Sequence, residues 1–585
     1  VKLSNAAIAD AFEELGDLYE LDGAIVHRVL AYRNAAKAVR EASVSVAALA
    51  RESRATELAG IGKTLQEKIQ TLDRTGTIPA TEKLRAKFPP GLVEITRLPG
   101  LGPKRARLLH VELGIDSFQA LRAAAENQKL RGIRGLGPKF ETSVLAALET
   151  MEAQPSGHAP PRVLLARAVE IGEALAAGLE RIGGPGTHVQ LAGSARRQAD
   201  SVKDLDLIAT TSRPTTLAKS LGKLEEIESV SSAGKAGARA RTHSGMAVDL
   251  RIARPEQLGN LLQHFTGSGP HNAALREAAV RQGMHVSEYG VLEDATGTTH
   301  TCVSEEDVYT LLGFAYIEPE LRENRGELEA AKLEGGSGLP ELIELGDIRG
   351  DLHSHTIASD GGNTIEEMGL AARERGYEYL AITDHSASHG FGNDVSPEQL
   401  RHQIELVRAA NARVEGIELL AGSEVNILPD GSLDYEDELL SELDWVIASV
   451  HTAFGASERA MTERMITAIE HPLVNAIGHP TGRLIERREP YAIDLDAVFA
   501  AAARTGTMLE INANPKRRDL SDVHARAAVR AGVRIVIDSD AHRAETLQNM
   551  RWGVATARRA WLSKHDVANT WSWAQLEKLG KQPRQ

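Results

Sequence analysis

Between Leu191 and Ala209 the chain reads LAGSARRQADSVKDLDLIA. A short strand leads into a Gly-Ser turn, a basic helix start and a second strand that carries Asp204 and Asp206. Carboxylates at i and i+2 of a strand share one face. Such neighbours repel, and a divalent cation between them relieves the repulsion. The backbone N–H groups of Gly193 and Ser194, the helix start behind them and Arg197 could together hold a phosphate. A third strand, residues 246–252, offers Asp249 as another ligand. Three carboxylates facing a phosphate-binding turn suit in-line nucleotidyl transfer with two metal ions. A lone Asp-x-Asp is more often an ordinary exposed strand; the Gly-Ser-x-Arg-Arg turn upstream shifts the reading toward chemistry.

A second set of chemical residues begins at Asp347, where short apolar strands alternate with helical stretches, the pattern of a βα barrel. Seven candidate strands end in RGDLHSHT, YLAITDHS, LLAGSEVNI, WVIASVHT, VNAIGHP, MLEINANP and RIVIDSDAH. Active sites of such barrels lie at the strands' C-terminal ends. Clustered there are His353, His355, Asp360, His385, Glu424, His451, His479, Asp540 and His542. His353 and His355 stand at i and i+2, so both can reach one ion, and Asp540 and His542 repeat that spacing. Six imidazoles and three carboxylates without a thiolate suit Zn²⁺, Mn²⁺ or Fe²⁺ in open catalytic sites. Nine ligands are too many for one ion, and two or three ions would let a bridging hydroxide attack a phosphate. Any one of these histidines alone reads as core or surface; nine ligand-type residues on successive strand ends do not. Arg483 and Asn512 stand nearby as phosphate contacts or as packing.

These sets need elements to position them. A chain of 585 residues divides into about four domains. Its single cysteine, Cys302, excludes an intramolecular disulfide framework and a thiolate zinc cluster. No run of about 18 apolar residues and no signal peptide is present, so a cytoplasmic, nucleoid-associated monomer without a membrane partner is expected. The net charge of −14 is unevenly spread: residues 1–155 carry 22 Lys+Arg against 19 Asp+Glu. The acidic excess therefore falls where metal ligands are expected, and the overall sign does not exclude nucleic acid.

Residues 1–90 have the apolar spacing of short helices. Within them LAGIGKTLQEKI (58–69) places Gly60 and Gly62 before a helix. The pattern recurs as RLPGLGPKRARLL (97–109), with Gly100 and Gly102, and as RGIRGLGPKFETSV (131–144), with Gly135 and Gly137. The pattern resembles a helix-hairpin-helix, in which a Gly-x-Gly turn feeds backbone N–H groups to one DNA phosphate. One copy is weak evidence, but three copies, each followed by Lys and a helix, point to sequence-independent backbone binding. MEAQPSGHAPPR (151–162) and AKLEGGSGLPELI (331–343) read as linkers.

The turn and its carboxylates resemble the nucleotidyltransferase superfamily, and within it the family X DNA polymerases. The resemblance implies that Asp204, Asp206 and Asp249 are catalytic ligands for Mg²⁺ or Mn²⁺ and that Ser194 and Arg197 bind the incoming triphosphate. HFTGS (264–268) resembles the family's nucleotide-sugar motif, so His264, Phe265 and Gly267 are expected at the ribose. Asn272 and Arg276 then face the incoming base and the template minor groove. Lys68 falls at the position of the family's Schiff-base lysine and Tyr32 at an aromatic of the same site, which implies a 5′-deoxyribose-phosphate lyase as a secondary activity. Three departures are plain: His264 replaces Tyr, and Gln198 and Lys203 replace Gly. GFAYIEPELRENRGE (313–327) resembles an exit segment of the bacterial members. HSH, TDH, SEV, VH, GHP and DAH resemble, in order, the polymerase and histidinol phosphatase (PHP) superfamily, which implies a metal-dependent phosphoesterase.

The expected architecture is multidomain: a helical helix-hairpin-helix N-terminal region, an α+β nucleotidyltransferase-type palm with a thumb, and a C-terminal distorted (βα)7 barrel. The expected spans are a lyase-like domain at 1–90, a fingers-like domain at 91–155, the palm at 163–260, the thumb at 261–327, a linker at 328–346 and the PHP barrel at 347–570. The resemblance implies a polymerase that fills short gaps in gapped or nicked DNA with dNTPs, joined to a 3′–5′ exonuclease and 3′-end-processing barrel that holds two or three Zn²⁺, Mn²⁺ or Fe²⁺ ions. An abasic endonuclease is a further implied activity. The alternative is a repair nuclease whose polymerase module is weak or inactive, as Lys203 and His264 would allow. A scaffold without either activity is disfavoured by the complete ligand sets.

Overall fold

The computed structural model describes residues 3–96, 98, 100–133, 135–153, 162–390 and 393–578. Arg97, Pro99 and Arg134 of the second and third hairpin motifs, most of the 151–162 linker and the end of the C-terminal tail lie outside the described residues. The chain forms two compact units. One comprises Val1–Arg162, Ile171–Gln190 and Lys203–Ile252; the other comprises Val163–Glu170, Leu191–Val202 and Ala253–Gln585.

The first unit begins with helices whose apolar stripes meet in a single core that runs from Ile8 to Leu148. Ser4 caps the helix Asn5–Leu21 by accepting the N–H of Ala7, which satisfies one of the donors a helix start leaves open. The expected spans 1–90 and 91–155 thus share one apolar cluster. The three Gly-x-Gly motifs adopt one geometry. Gly60, Gly100 and Gly135 all have φ between +79° and +89°, and the N–H of the next residue closes a turn onto the carbonyl of Leu58, Leu98 or Ile133. A positive φ at the third position of such a turn favours glycine. Gly62 and Gly102 then cap the helices Lys63–Thr75 and Pro103–Leu113, and the helix Pro138–Ala153 follows Gly137.

The same unit holds a five-stranded sheet. Its strands lie in the order His188–Leu191, Asp204–Thr210, Ala247–Ala253, Gly237–Thr242, Ile227–Gly234, and the last three pair antiparallel. In Asp204–Thr210 alternation buries Leu205 and Leu207 completely and leaves Asp204 and Asp206 on the open face.

In the second unit the helices Leu258–Thr266, Gly269–Val280 and Glu305–Leu311 and the antiparallel strands Met284–Ser287, Gly290–Glu293 and Thr299–His300 surround a core that includes Leu275, Val308 and Tyr309. The 328–346 segment is packed: Leu328, Ala331 and Leu342 join this core, and Ile343 joins the core of the barrel.

The barrel has seven parallel strands in sequential order: Gly350–Asp351, Tyr379–Ile382, Glu418–Asn426, Trp445–Ser449, Ala476–Ile477, Met508–Asn512 and Ile535–Asp538. Six lie within the expected stretches, and Glu418–Asn426 starts one residue before its own. Just past the first and last strands Ser354 bridges Ala541 in parallel, so the sheet nearly closes. The period of two sorts the side chains: Tyr379 and Ala381 join Leu352, Trp445, Ile447 and Met508 in the interior cluster, and Leu380 and Ile382 join the outer cluster under the helices. Ala568, Trp573 and Leu576, from a tail that carries no motif, complete the interior cluster.

Candidate active sites

The barrel mouth gathers the expected ligands, five of the six histidines around one carboxylate. Glu424 Oε1 lies 2.9 Å from His479 Nε2 and 3.2 Å from His451 Nε2. Its Oε2 lies 2.8 Å from His385 Nδ1, 3.4 Å from His353 Nε2 and 3.7 Å from His355 Nε2. Asp540 Oδ1 stands 3.2 Å from His355 Nε2 and 3.7 Å from His353 Nε2. Asp360 reaches His542 at 3.3 Å and His385 at 3.6 Å. Three overlapping groups can each hold an ion: His355, Asp360, His385 and His542; His353, His355 and Asp540; His385, Glu424 and His451.

The site is deep, with Asp360 and His542 its most exposed members, 39% and 35% accessible at the side chain. Both ring nitrogens of His355 and Nε2 of His353 are buried without a hydrogen bond. Leaving such atoms unpaired is costly. A donor set of imidazole and carboxylate with orphaned buried nitrogens fits borderline divalent metals. Burial lowers His355 to about 4 and His479 to about 3, so both rings are neutral, as ligands must be. Against the pull of burial, Asp360 and Asp540 hold His542 up at about 9.

Several partners escaped the motif reading. Glu510 Oε1 accepts from His353 Nδ1 at 2.7 Å, while Oε2 accepts from the His479 N–H and from Asn512 Nδ2. An outer carboxylate so placed would orient His353 as a metal-binding imidazole. Asn512 also donates to Asp540 Oδ2 at 3.1 Å and is fully buried, so of its two readings the packing one is favoured. His389 stacks on His385 with ring centroids 4.2 Å apart. Arg517 Nε stands 3.7 Å from Asp540 Oδ2 and adds positive charge beside the cluster. Glu510 lay inside a quoted strand, on the face of Asn512, where its alternation could have marked it. His389 lies in a loop without periodicity and gave no such signal.

On the palm sheet Asp204, Asp206 and Asp249 line one cavity of about 340 Å³ with Arg239 and Arg241. Asp249 Oδ2 accepts from Arg251 at 2.9 Å and lies 3.7 Å from Arg239, which stands opposite it in register. Lys203 is exposed next to Asp204.

The Gly-Ser turn belongs to the second unit. Gly193 has φ +60° and starts a single helical turn, Gly193–Arg196, with Ser194 half-buried. Arg197 donates to Glu323 at 3.0 Å and to the Thr266 carbonyl at 2.8 Å, so it is largely spent within the protein. Arg196 binds Thr266 Oγ1 and Glu305. Glu305 also pairs with Arg322, which is fully buried and lies over Tyr309 and Tyr316. The exit segment is thus a support for this turn. Gln198 takes φ +58°, the left-handed region that glycine enters freely.

In HFTGS, His264 and Phe265 meet edge to face with ring centroids 5.0 Å apart. Gly267 has no room for a side chain, since a Cβ would lie 2.3 Å from Asn272 Oδ1. Asn272 donates to the carbonyls of His264 and Gly267 and accepts from Gln263. It therefore staples the turn, whereas Arg276 is exposed on its helix. In the first unit Lys68 is half-buried on Lys63–Thr75. Tyr32 is buried and stacked on Tyr19 at 5.4 Å.

Family models match four stretches: a helix-hairpin-helix domain at 4–78, a SAM-like helix-hairpin-helix tandem at 92–150, the DNA polymerase beta thumb at 261–323 and the PHP domain at 351–514. Hairpins, a carboxylate-bearing palm, a polymerase thumb and a PHP barrel on one chain define a family X DNA polymerase joined to a phosphoesterase domain. The DNA polymerase/3′-5′ exonuclease PolX of Bacillus subtilis is 39% identical over 570 residues, 97% of this chain and 97% of its own. The chain belongs to the PolX family. A probable phosphatase of Thermoanaerobacter pseudethanolicus is 33% identical over 239 residues, 38% of this chain and 89% of its own. The solved ternary complex of Leishmania infantum polymerase beta aligns with 40% of this chain and 98% of its own at 20% identity and a TM-score of 0.26.

Proposed function

We propose that this chain fills short gaps in DNA by nucleotidyl transfer and trims or cleans 3′ ends at its barrel. The observation that carries the reading is one chain with both a three-carboxylate palm cavity and a barrel mouth with orphaned imidazole nitrogens. Asp204, Asp206 and Asp249 would hold Mg²⁺ or Mn²⁺, and the barrel ligands two or three Zn²⁺, Mn²⁺ or Fe²⁺ ions. Bound there, such ions supply Lewis acidity toward phosphate oxygens and a lowered pKa for the attacking oxygen.

The residues of the chain supply the rest. Ser194 and the N–H groups of its turn bind the triphosphate of a dNTP. His264 and Phe265 form the edge against which the sugar packs, and equal sugar selectivity in His264→Tyr would remove that role. Glu510 and Asn512 orient His353 and Asp540, and Arg517 attracts the phosphodiester to the barrel. The hairpins grip gapped or nicked duplex by its backbone. Support comes from Gly62, Gly102 and Gly137: none has a positive φ, and a Cβ on any of them would meet nothing within 4 Å. The fold does not require glycine there, whereas close approach of a phosphate to the backbone does. Lys68 is the nucleophile of a 5′-deoxyribose-phosphate lyase, a role that borohydride trapping on an incised abasic site tests; the barrel also incises abasic DNA.

A second reading, a repair nuclease with a weak polymerase, is favoured by the arginines that occupy Asp249 and by the left-handed Gln198. One experiment separates the two. A labelled primer in a one-nucleotide gap with a 5′-phosphate is followed in Mn²⁺, with and without dNTPs, for wild type, Asp204→Ala and His353→Ala. Extension lost only in Asp204→Ala and shortening lost only in His353→Ala support the first reading. A wild type that shortens but never extends the primer favours the second.

A further inference from the structure

Four residues at the end of the Gly-Ser turn, Arg197 to Asp200, are held by arginines of the barrel. Arg559, at the end of the helix Met550–Arg559, donates to the Arg197 carbonyl at 2.7 Å and to Glu323 at 2.9 Å. Glu323 also takes the Arg197 guanidinium, so one carboxylate ties both cations. Arg518 donates to the Gln198 carbonyl at 2.9 Å and stands 3.2 Å from Asp200, with its Nε fixed on Thr556 at 2.8 Å. Arg483 pairs with the other oxygen of Asp200 at 2.8 Å and donates to the Arg518 carbonyl.

These are not surface pairs. The side chains of Arg518, Arg559 and Arg483 are 1%, 8% and 13% exposed. Burying a guanidinium is costly unless its donors find good partners, and here many of the partners lie on the turn. Gln198 sits at the centre of the grip. A left-handed conformation is uncommon for a non-glycine residue, and the Arg518 bond to the Gln198 carbonyl helps hold it. Arg483 and Arg518 themselves stand on the segments that follow two barrel strands, Ala476–Ile477 and Met508–Asn512.

We propose that Arg483, Arg518 and Arg559 are positioning residues for nucleotidyl transfer: the barrel sets the attitude of the Gly193–Asp200 turn and, through it, of Ser194. The proposal rests on the reading that this turn holds the triphosphate.

The test uses the full chain and measures filling of a one-nucleotide gap against dNTP concentration. Arg518→Met, Arg559→Met and Asp200→Asn each raise KM for dNTP about tenfold, the scale of a lost charge-assisted hydrogen bond or a misplaced binding group. The kcat at saturating dNTP changes much less. Arg559→Lys, which keeps the charge, restores part of the KM. The Asp200→Asn/Arg518→Met double variant raises KM by less than the product of the two single effects, because the pair shares the Asp200–Arg518 tie. Retained exonuclease activity reports an intact barrel, and Asp200→Asn, on the turn itself, keeps the test open if a barrel variant does not fold. An unchanged KM in folded Asp200→Asn and Arg559→Met overturns the proposal, as does a parallel fall of both activities in every variant. Ser194→Ala separates the two levels. If it leaves KM unchanged, the triphosphate reading fails and the brace has nothing to position; if it raises KM while the arginine variants do not, the brace alone fails.

Discussion

Replacing Glu510 with Gln keeps the shape of the side chain and should still disable the barrel. Glu510 accepts three hydrogen bonds: one from His353 Nδ1 at 2.7 Å on Oε1, and two on Oε2 from the His479 N–H and Asn512 Nδ2. An amide has one acceptor oxygen and one donor nitrogen. With its oxygen toward His479 and Asn512, the amide N–H₂ meets His353 Nδ1, which must then accept and move its proton to Nε2. That is the nitrogen facing Glu424 and Asp540, and once protonated it can no longer bind a metal. With the amide reversed, two buried donors face a third, at about 1–3 kcal/mol for each unsatisfied group. Either orientation predicts a loss of about tenfold to a hundredfold in exonuclease rate or metal affinity, the usual effect of an outer-shell change. Single-turnover removal of the primer's last nucleotide gives the rate, and elemental analysis of the purified protein gives the metal content. Gap filling by the same preparation should stand at the wild-type level. Wild-type exonuclease with full metal occupancy in Glu510→Gln would refute the tautomer argument and reduce Glu510 to packing.

Gly62→Ala, Gly102→Ala and Gly137→Ala should leave the fold intact or add about 0.4–1 kcal/mol each by restricting the unfolded chain, yet weaken binding to gapped DNA; unaltered affinity in all three by fluorescence anisotropy would remove the hairpins as backbone contacts. Gly60→Ala, at φ +89°, should instead destabilise the helical region, which thermal unfolding reads. Burial depresses the pKa of His271, and despite burial its hydrogen bond to Glu327 holds that carboxyl low. Both groups therefore bind protons more readily in the unfolded chain, so stability falls as pH drops below about 6.5 and again toward about 4.3. Hydrogen exchange should show the helix Gly269–Val280 losing protection over the first of these windows, with a flatter profile in His271→Gln.

Much of this molecule could be read from its residues because some signals are local. The seven barrel strands were legible since apolar runs end in a polar cluster at almost every C-terminus, and a period of two makes the interior face predictable from Tyr379 or Trp445 alone. The hairpins were legible because a positive φ before a helix demands glycine. Other features rest on distance in sequence. Nothing near Gln198 announces that Arg518 will reach its carbonyl, or near Arg197 that Arg559 will. Asn272 reads in the sequence as a base-facing residue, and nothing in HFTGS announces that its amide will donate to the His264 and Gly267 carbonyls. Arg483 could serve phosphate or packing until Asp200 was seen to take its guanidinium. The tail beyond Trp571 carries no motif because filling the barrel interior asks only for apolar bulk.

The shared core from Ile8 to Leu148 bears on how such a protein meets its substrate. Three Gly-x-Gly turns mounted on separate domains would each find a phosphate independently, and the grip would strengthen one contact at a time. Mounted on one packed body, their separations are fixed before any DNA arrives. The nucleic acid must then supply the adjustment. A continuous duplex resists bending over short lengths, whereas a strand break interrupts the stacking that makes it stiff. Where the hairpins grip phosphates as proposed, a three-point gauge of this kind should favour DNA that is interrupted, whatever bases flank it.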